Sequence, residues 1–163
     1  HMNDPATFLM WFIPLWVVGF VALSMGIMAL LAQVGGWSEL ASLYREPEGM
    51  VRQPVQSFGM ASLALRRGWF PLPVNYSSCA IVDVAAAGLH LRTWRPFRFR
   101  HPPLFIPWEQ MESMVPGRML FFSILTIRPR GVGTQISLWG GPAKAVEAAY
   151  RQLLARSAQP VPV

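Results

Sequence analysis

Cysteine is all but missing from this chain. Cys79 is the only one in 163 residues, so no internal disulfide can staple the fold, which fits a reducing compartment. Lysine is equally scarce, since Lys144 stands against thirteen arginines, all beyond residue 44. With eight acidic residues the formal net charge is +6, and a positive domain is drawn to anionic lipid heads or acidic partners. The most telling absence is of charge itself. From Pro5 to Ser38 there is no Asp, Glu, Lys, Arg or His.

That uncharged stretch contains "FLMWFIPLWVVGFVALSMGIMALLAQV", and roughly 20 apolar residues suffice to cross a bilayer core of about 30 Å. Residues 8–34 are therefore expected to form a transmembrane helix. A cleaved signal peptide would want a basic start, a shorter apolar core and a small-residue cleavage site. Here Asn3 and Asp4 stand ahead of the apolar run, which is too long, so the expected segment is an uncleaved, single-pass anchor. Arg45 and Arg52 follow the helix while its leading tail has no Lys or Arg, which predicts an outside N-terminus and a cytoplasmic C-terminal domain. Pro14 can kink the helix without preventing it. Gly19, Ala22, Gly26 and Ala29 recur at spacings of three and four, on one face. They are either a helix-packing face for a homo-oligomer or the ordinary small-residue content of a membrane helix.

Residues 35–54 read as an interfacial elbow and linker. Ser38 can cap a short helix whose Leu40, Leu43 and Tyr44 share one face, and Trp37 falls where a ring would sit among lipid head groups. Pro47, Gly49 and Pro54 mark the linker. From about Val55 the period becomes that of strands, in "SFGMASLALRR", "VNYSSCAIVDV", "LHLRTW", a piece around Leu104 to Ile106, another around Met111 to Val115, "MLFFSILTIRP" and "TQISLW". Turns are expected at Arg67–Gly68, "AAAG", "PGR" and "RGVG". Six or seven antiparallel strands follow. "GGPAKAVEAAYRQLLARS" then puts Pro142 at a helix start, with Val146, Ala149, Tyr150, Leu153 and Leu154 in a stripe and a Glu147–Arg151 pair outside. The expected fold is thus an N-terminal transmembrane helix plus a β-rich domain over 55–157, closed by a C-terminal helix, with a mobile tail over 158–163.

This order of elements, with "PPLFIPWEQMESM" leading into a middle strand, resembles the bacterial pleckstrin-homology-like (PH-like) or GRAM-like domains that sit behind a membrane anchor. The resemblance implies a non-catalytic binding or scaffolding module at the bacterial inner membrane. Arg66 and Arg67 stand near the place of the basic pair in the first hairpin of lipid-phosphate-binding members, without the lysine that accompanies it there.

Catalysis needs titratable groups brought together, and Asp83, Glu109, Glu112, Glu147, His90 and His101 follow no catalytic spacing. No catalytic residue is therefore expected. His90 reads as an outward strand residue, His101 as part of a proline-rich loop and Cys79 as a small buried hydrophobe, so no metal or other cofactor is expected. The run "LRTWRPFRFRHPPLFIPW" carries Arg92, Arg95, Arg98 and Arg100. If it is a strand, Arg98 and Arg100 share one face and Phe97 and Phe99 the other. Its arginines are then either a solvated strand face or a site for anionic lipid or an acidic partner protein. Rings turned away from the charges argue against nucleic acid. Two functions stay open, a membrane-anchored interaction module and an accessory or assembly subunit of a larger membrane complex.

Overall fold

The computed structural model describes residues 5–158; the expected tail lies outside them from residue 159 on. Helix α1 spans Pro5–Val34 and α2 spans Trp37–Tyr44. Seven strands follow, β1 Pro54–Arg66, β2 Val74–Ala85, β3 Gly88–Thr93, β4 Leu104–Pro107, β5 Met111–Met119, β6 Phe122–Pro129 and β7 Gln135–Trp139, before α3 at Gly141–Ser157. Within α1, Phe8–Val34 has a mean hydropathy of 2.3, long and apolar enough to cross a membrane. Its rings and aliphatic chains, Trp11, Leu15, Trp16 and Leu23 among them, are exposed.

The strands form one antiparallel sheet in the order β4-β3-β2-β1-β7-β6-β5, and with the closing helix this is the PH-like arrangement that the resemblance implies. β1 belongs to both halves. It pairs with β2 from Pro54 to Leu65, but with β7 only from Leu63 to Arg66, so the halves part along its first stretch. The register of β1 slips between Phe58 and Leu63, where Met60 has φ 53° and its neighbour strand carries Ser78 at φ 56°. Such bulges sharpen the twist and curl the sheet. Leu63, Leu65, Val82, Leu89, Leu91, Ile106, Leu125, Ile127, Ile136 and Leu138 fill the inside. α3 covers the gap with Ala143 and Val146, which are buried, and Tyr150, whose ring lies 6.4 Å from that of Trp108.

Three expectations need correction. The turn between β5 and β6 is not at "PGR". Pro116 and Gly117 lie inside β5, paired with Leu125 and Ile124, and the chain reverses at Leu120 and Phe121. β5 is an edge strand, where a proline costs no ladder bond. The elbow does not turn its apolar stripe outward, because Trp37, Leu40 and Tyr44 are buried in the core cluster and only Leu43 of the expected stripe is exposed. Its apolar stripe packs on the sheet instead of on lipid. The stretch after it is not free either: Glu46 N–H donates to Pro103 O at 2.9 Å and Arg45 bridges Leu104 at the edge of β4.

His90 is the third. It is 2% exposed, because the strap after α2 folds over the outer face of β3. Its Nδ1 lies 3.1 Å from Glu46 Oε2, and Glu46 also takes Arg52 at 2.7 Å. A buried carboxylate is tolerated only when it is paired and hydrogen-bonded, and Glu46 has both partners.

Candidate membrane-facing site

The end of α1 is part of the β-rich domain. Ala32 is fully buried and Leu31 packs against the core. Gly35 N–H donates to Leu31 O at 2.8 Å, and Leu40 N–H reaches Gly36 O at 3.0 Å to start α2. Gly36 has φ +90°, and a Cβ there would collide with the side chain of Thr134, so the corner between the helices requires glycine. Glu39 fixes α2 to the loop before β7, accepting from Gly133 N–H at 3.0 Å and from the Thr134 hydroxyl at 2.5 Å. Burial alone would push its carboxyl up, but these two bonds and the nearby Arg67 hold it below the ordinary value. Arg67, just past β1, donates to Gln33 O at 3.0 Å. The turn between β1 and β2 therefore lies against the last turn of α1.

Trp37 ties a second loop to the same place. Its Nε1–H donates to Pro102 O at 3.0 Å, and its ring centroid lies 5.1 Å from His101 and 5.4 Å from Tyr76. His101, 1% exposed, has Nδ1 2.8 Å from Phe99 O and Nε2 3.1 Å from the Tyr76 hydroxyl. A carbonyl can only accept, so Nδ1 carries the proton and Nε2 accepts from the tyrosine. Burial lowers the His101 pKa against the opposing pull of the Phe99 carbonyl. It pushes the Tyr76 phenol up.

Between Thr93 and this clamp the chain is not a strand. Arg95–Phe97 is a single 3₁₀ turn and an irregular stretch follows to Pro103. Pro96 and the Pro102–Pro103 pair have no N–H for a ladder. Arg95, Arg98 and Arg100 are exposed, and so are Trp94, Phe97 and Phe99. The expected division into an arginine face and a buried aromatic face does not exist, and with it goes the geometric reason given against nucleic acid. Arg92 stands apart from the other three, in β3. It is bound through Nε and Nη2 to Asp83, at 3.2 and 3.0 Å, and Asp83 also accepts from Ser57.

Gly19, Ala22, Gly26 and Ala29 lie along α1, and a Cβ on either glycine would meet nothing within 4 Å. Sequence reasoning passed over Trp69 and Leu72, whose side chains are exposed in the β1–β2 loop. The signal was there in "RRGWFPLPV", large apolar residues within a turn. Cys79 is half-buried rather than fully enclosed, and burial raises its thiol pKa. A cavity of about 320 Å³ lies between α3 and the β1–β2 pair, lined by Val84, Trp108, Ala149 and Leu153 with Arg156 as its one ionisable group.

No family model and no curated protein matches the chain. Among solved structures it is similar to the Vps36 N-terminal PH domain, at 10% identity and a TM-score of 0.47, over 69% of this chain and 94% of that one.

Proposed function

We propose that the chain is a single-pass, membrane-anchored, non-catalytic interaction module. Its PH-like domain lies on the cytoplasmic face of a bacterial inner membrane and offers Arg95, Arg98 and Arg100 to anionic lipid head groups. The observation that carries this reading is the bond from Trp37 to Pro102, which keeps the arginine loop near the point where α1 leaves its apolar run. A basic loop held close to a bilayer fills with anionic lipid even when each contact is weak, at about 1 kcal/mol for each arginine near the surface. Arg92 contributes through the fold, as the partner of Asp83.

The test uses the full chain in nanodiscs. Amide exchange over residues 94–101 is expected to slow when anionic lipid replaces neutral lipid at low salt. High salt should reverse the effect by shortening the screening length from about 10 Å towards 3 Å, and Arg98→Gln with Arg100→Gln should remove it. Equal exchange in neutral and anionic discs would overturn the lipid assignment, and slowing only on addition of an acidic protein would transfer the loop to that partner.

A second reading, an accessory subunit of a larger membrane complex, is favoured by the β5–β6 turn. There Met119, Leu120, Phe121 and Phe122 are all exposed, Phe121 at 92%. Stoichiometric partners on gentle extraction would support it.

A further inference from the structure

The β1–β2 loop leaves two large apolar side chains exposed, with Phe70 between them partly covered. Trp69 is 66% and Leu72 65% exposed, between the exposed Pro71 and Pro73. Phe70 packs edge-on to Trp69 at 5.8 Å, and the Arg67 guanidinium lies over the Trp69 ring at 5.4 Å. Phe70 N–H closes a turn on Arg67 O at 3.0 Å, so the loop is a short, built wedge. From Gly49 to Val82 the sequence has no carboxylate, so the loop itself carries no group that repels a negative surface.

Where the wedge lies follows from α1. Arg67 holds Gln33 O, and Gln33 is two residues past Leu31, hence about 3 Å further along the helix axis. Head-group layers are about 5–8 Å deep on each side of the hydrocarbon, so if Phe8 to Leu31 spans the core, Gln33 and the loop bonded to it lie within that layer. Tryptophan and arginine are the side chains that suit it, with ring and stem towards the acyl chains and the polar end towards water.

We infer that Trp69, Phe70 and Leu72 form a second membrane contact, an apolar wedge that enters the head-group layer of the same bilayer that α1 crosses. This rests on the anchored reading above and adds to it a contact that needs no anionic lipid. With helix and wedge both in the membrane, and Gly36 locked against Thr134, the domain is held at two points and its tilt is set.

The full chain is tested in liposomes, in a Cys79→Ser background. An environment-sensitive fluorophore is attached through Leu72→Cys, and in a second protein through Phe121→Cys at the opposite end of β6. Lipids with a nitroxide quencher just below the head groups should extinguish most of the fluorescence at residue 72 and leave that at 121 unchanged, in neutral and anionic liposomes alike. Trp69→Cys gives a second position with the same expectation should the first variant misfold. Unquenched fluorescence at both 69 and 72, or stronger quenching at 121, overturns the wedge. Alkaline carbonate extraction separates the two failures. A chain that stays in the pellet with an unquenched loop keeps its anchor and loses the wedge, and a chain that is released loses both.

Discussion

Of the loops that leave large apolar side chains in the open, the β1–β2 loop and the β5–β6 turn differ most in what stands beside them. The β1–β2 loop is bonded to the end of α1 through Arg67 and Gln33, next to a corner fixed by Gly36, Glu39 and Thr134. The β5–β6 turn lies at the other end of β6, whose eight residues span about 25 Å, and among the described residues its rings are left exposed. One end of the sheet is thus knit to α1 by buried aromatic and polar contacts, while the other ends in a bare apolar tip. Exposure alone says nothing about purpose; the neighbours do.

The largest effect should come at the anchored end. Trp37→Ala removes a fully buried ring and the bond to Pro102, and should cost about 3–5 kcal/mol, a large share of a typical domain's 5–15 kcal/mol. Thermal unfolding in detergent would measure it. A fragment starting at Val55, which lacks Trp37, Leu40 and Tyr44, should not fold at all. A cooperative transition in that fragment would mean that α2 is only laid against the sheet.

Next comes the strap. Glu46→Gln keeps the volume but weakens the bonds to Arg52 and His90, for an expected loss of about 1–3 kcal/mol. Amide exchange over 45–53 should rise with it.

The third effect is pH-dependent. The folded state holds His101 neutral, with its pKa below the ordinary value because of burial, so below about pH 6.5 the unfolded chain binds the extra proton first. Stability is therefore full above that pH and falls as pH drops below it, and His101→Gln should flatten the slope. Glu39, whose pKa is lowered, acts only below its ordinary value near 4.5 and stays out of this window. An unchanged slope in the variant would assign the pH dependence to other groups.

The smallest change is expected at the far tip. Leu120→Ser with Phe121→Ser should alter stability by no more than about 0.5 kcal/mol while reducing capture of a partner if the tip is a docking point. A large loss of stability would show that the tip has a structural contact after all. Gly19→Leu with Gly26→Leu should likewise leave folding alone, and weaker cross-linking would show that the small face joins two copies.

Much of this was legible in the residues. The charge gap from Pro5 to Ser38 marked α1, alternation marked the strands, and Pro142 with its stripe marked α3. What failed to show depends on contacts distant in sequence. The stripe on α2 was visible, but nothing local says whether an apolar stripe meets lipid or sheet, and Trp37 meets Tyr76 and His101. His90 looks outward by alternation and is buried by a strap that only the fold brings over it. The β5–β6 reversal has no Gly or Asn to announce it, since Leu120 itself takes φ 54°. For the arginine loop a clue was available: Pro96 between Arg95 and Phe97 breaks a strand, and reading alternation through it misplaced the rings of Phe97 and Phe99.

The bridge between Arg45 and Leu104 bears on a hazard of crowding. Chains confined to a membrane plane meet edge to edge far more often than free ones, and an open strand edge is a template for runaway pairing. Here the β4 edge is occupied by the chain's own backbone at Arg45 and Glu46. The β5 edge carries Pro116, which breaks the row of donors a neighbouring strand would need. Each rim of the sheet is thus interrupted, one by the chain's own backbone and the other by a proline, and such interruptions oppose edge-to-edge pairing between copies.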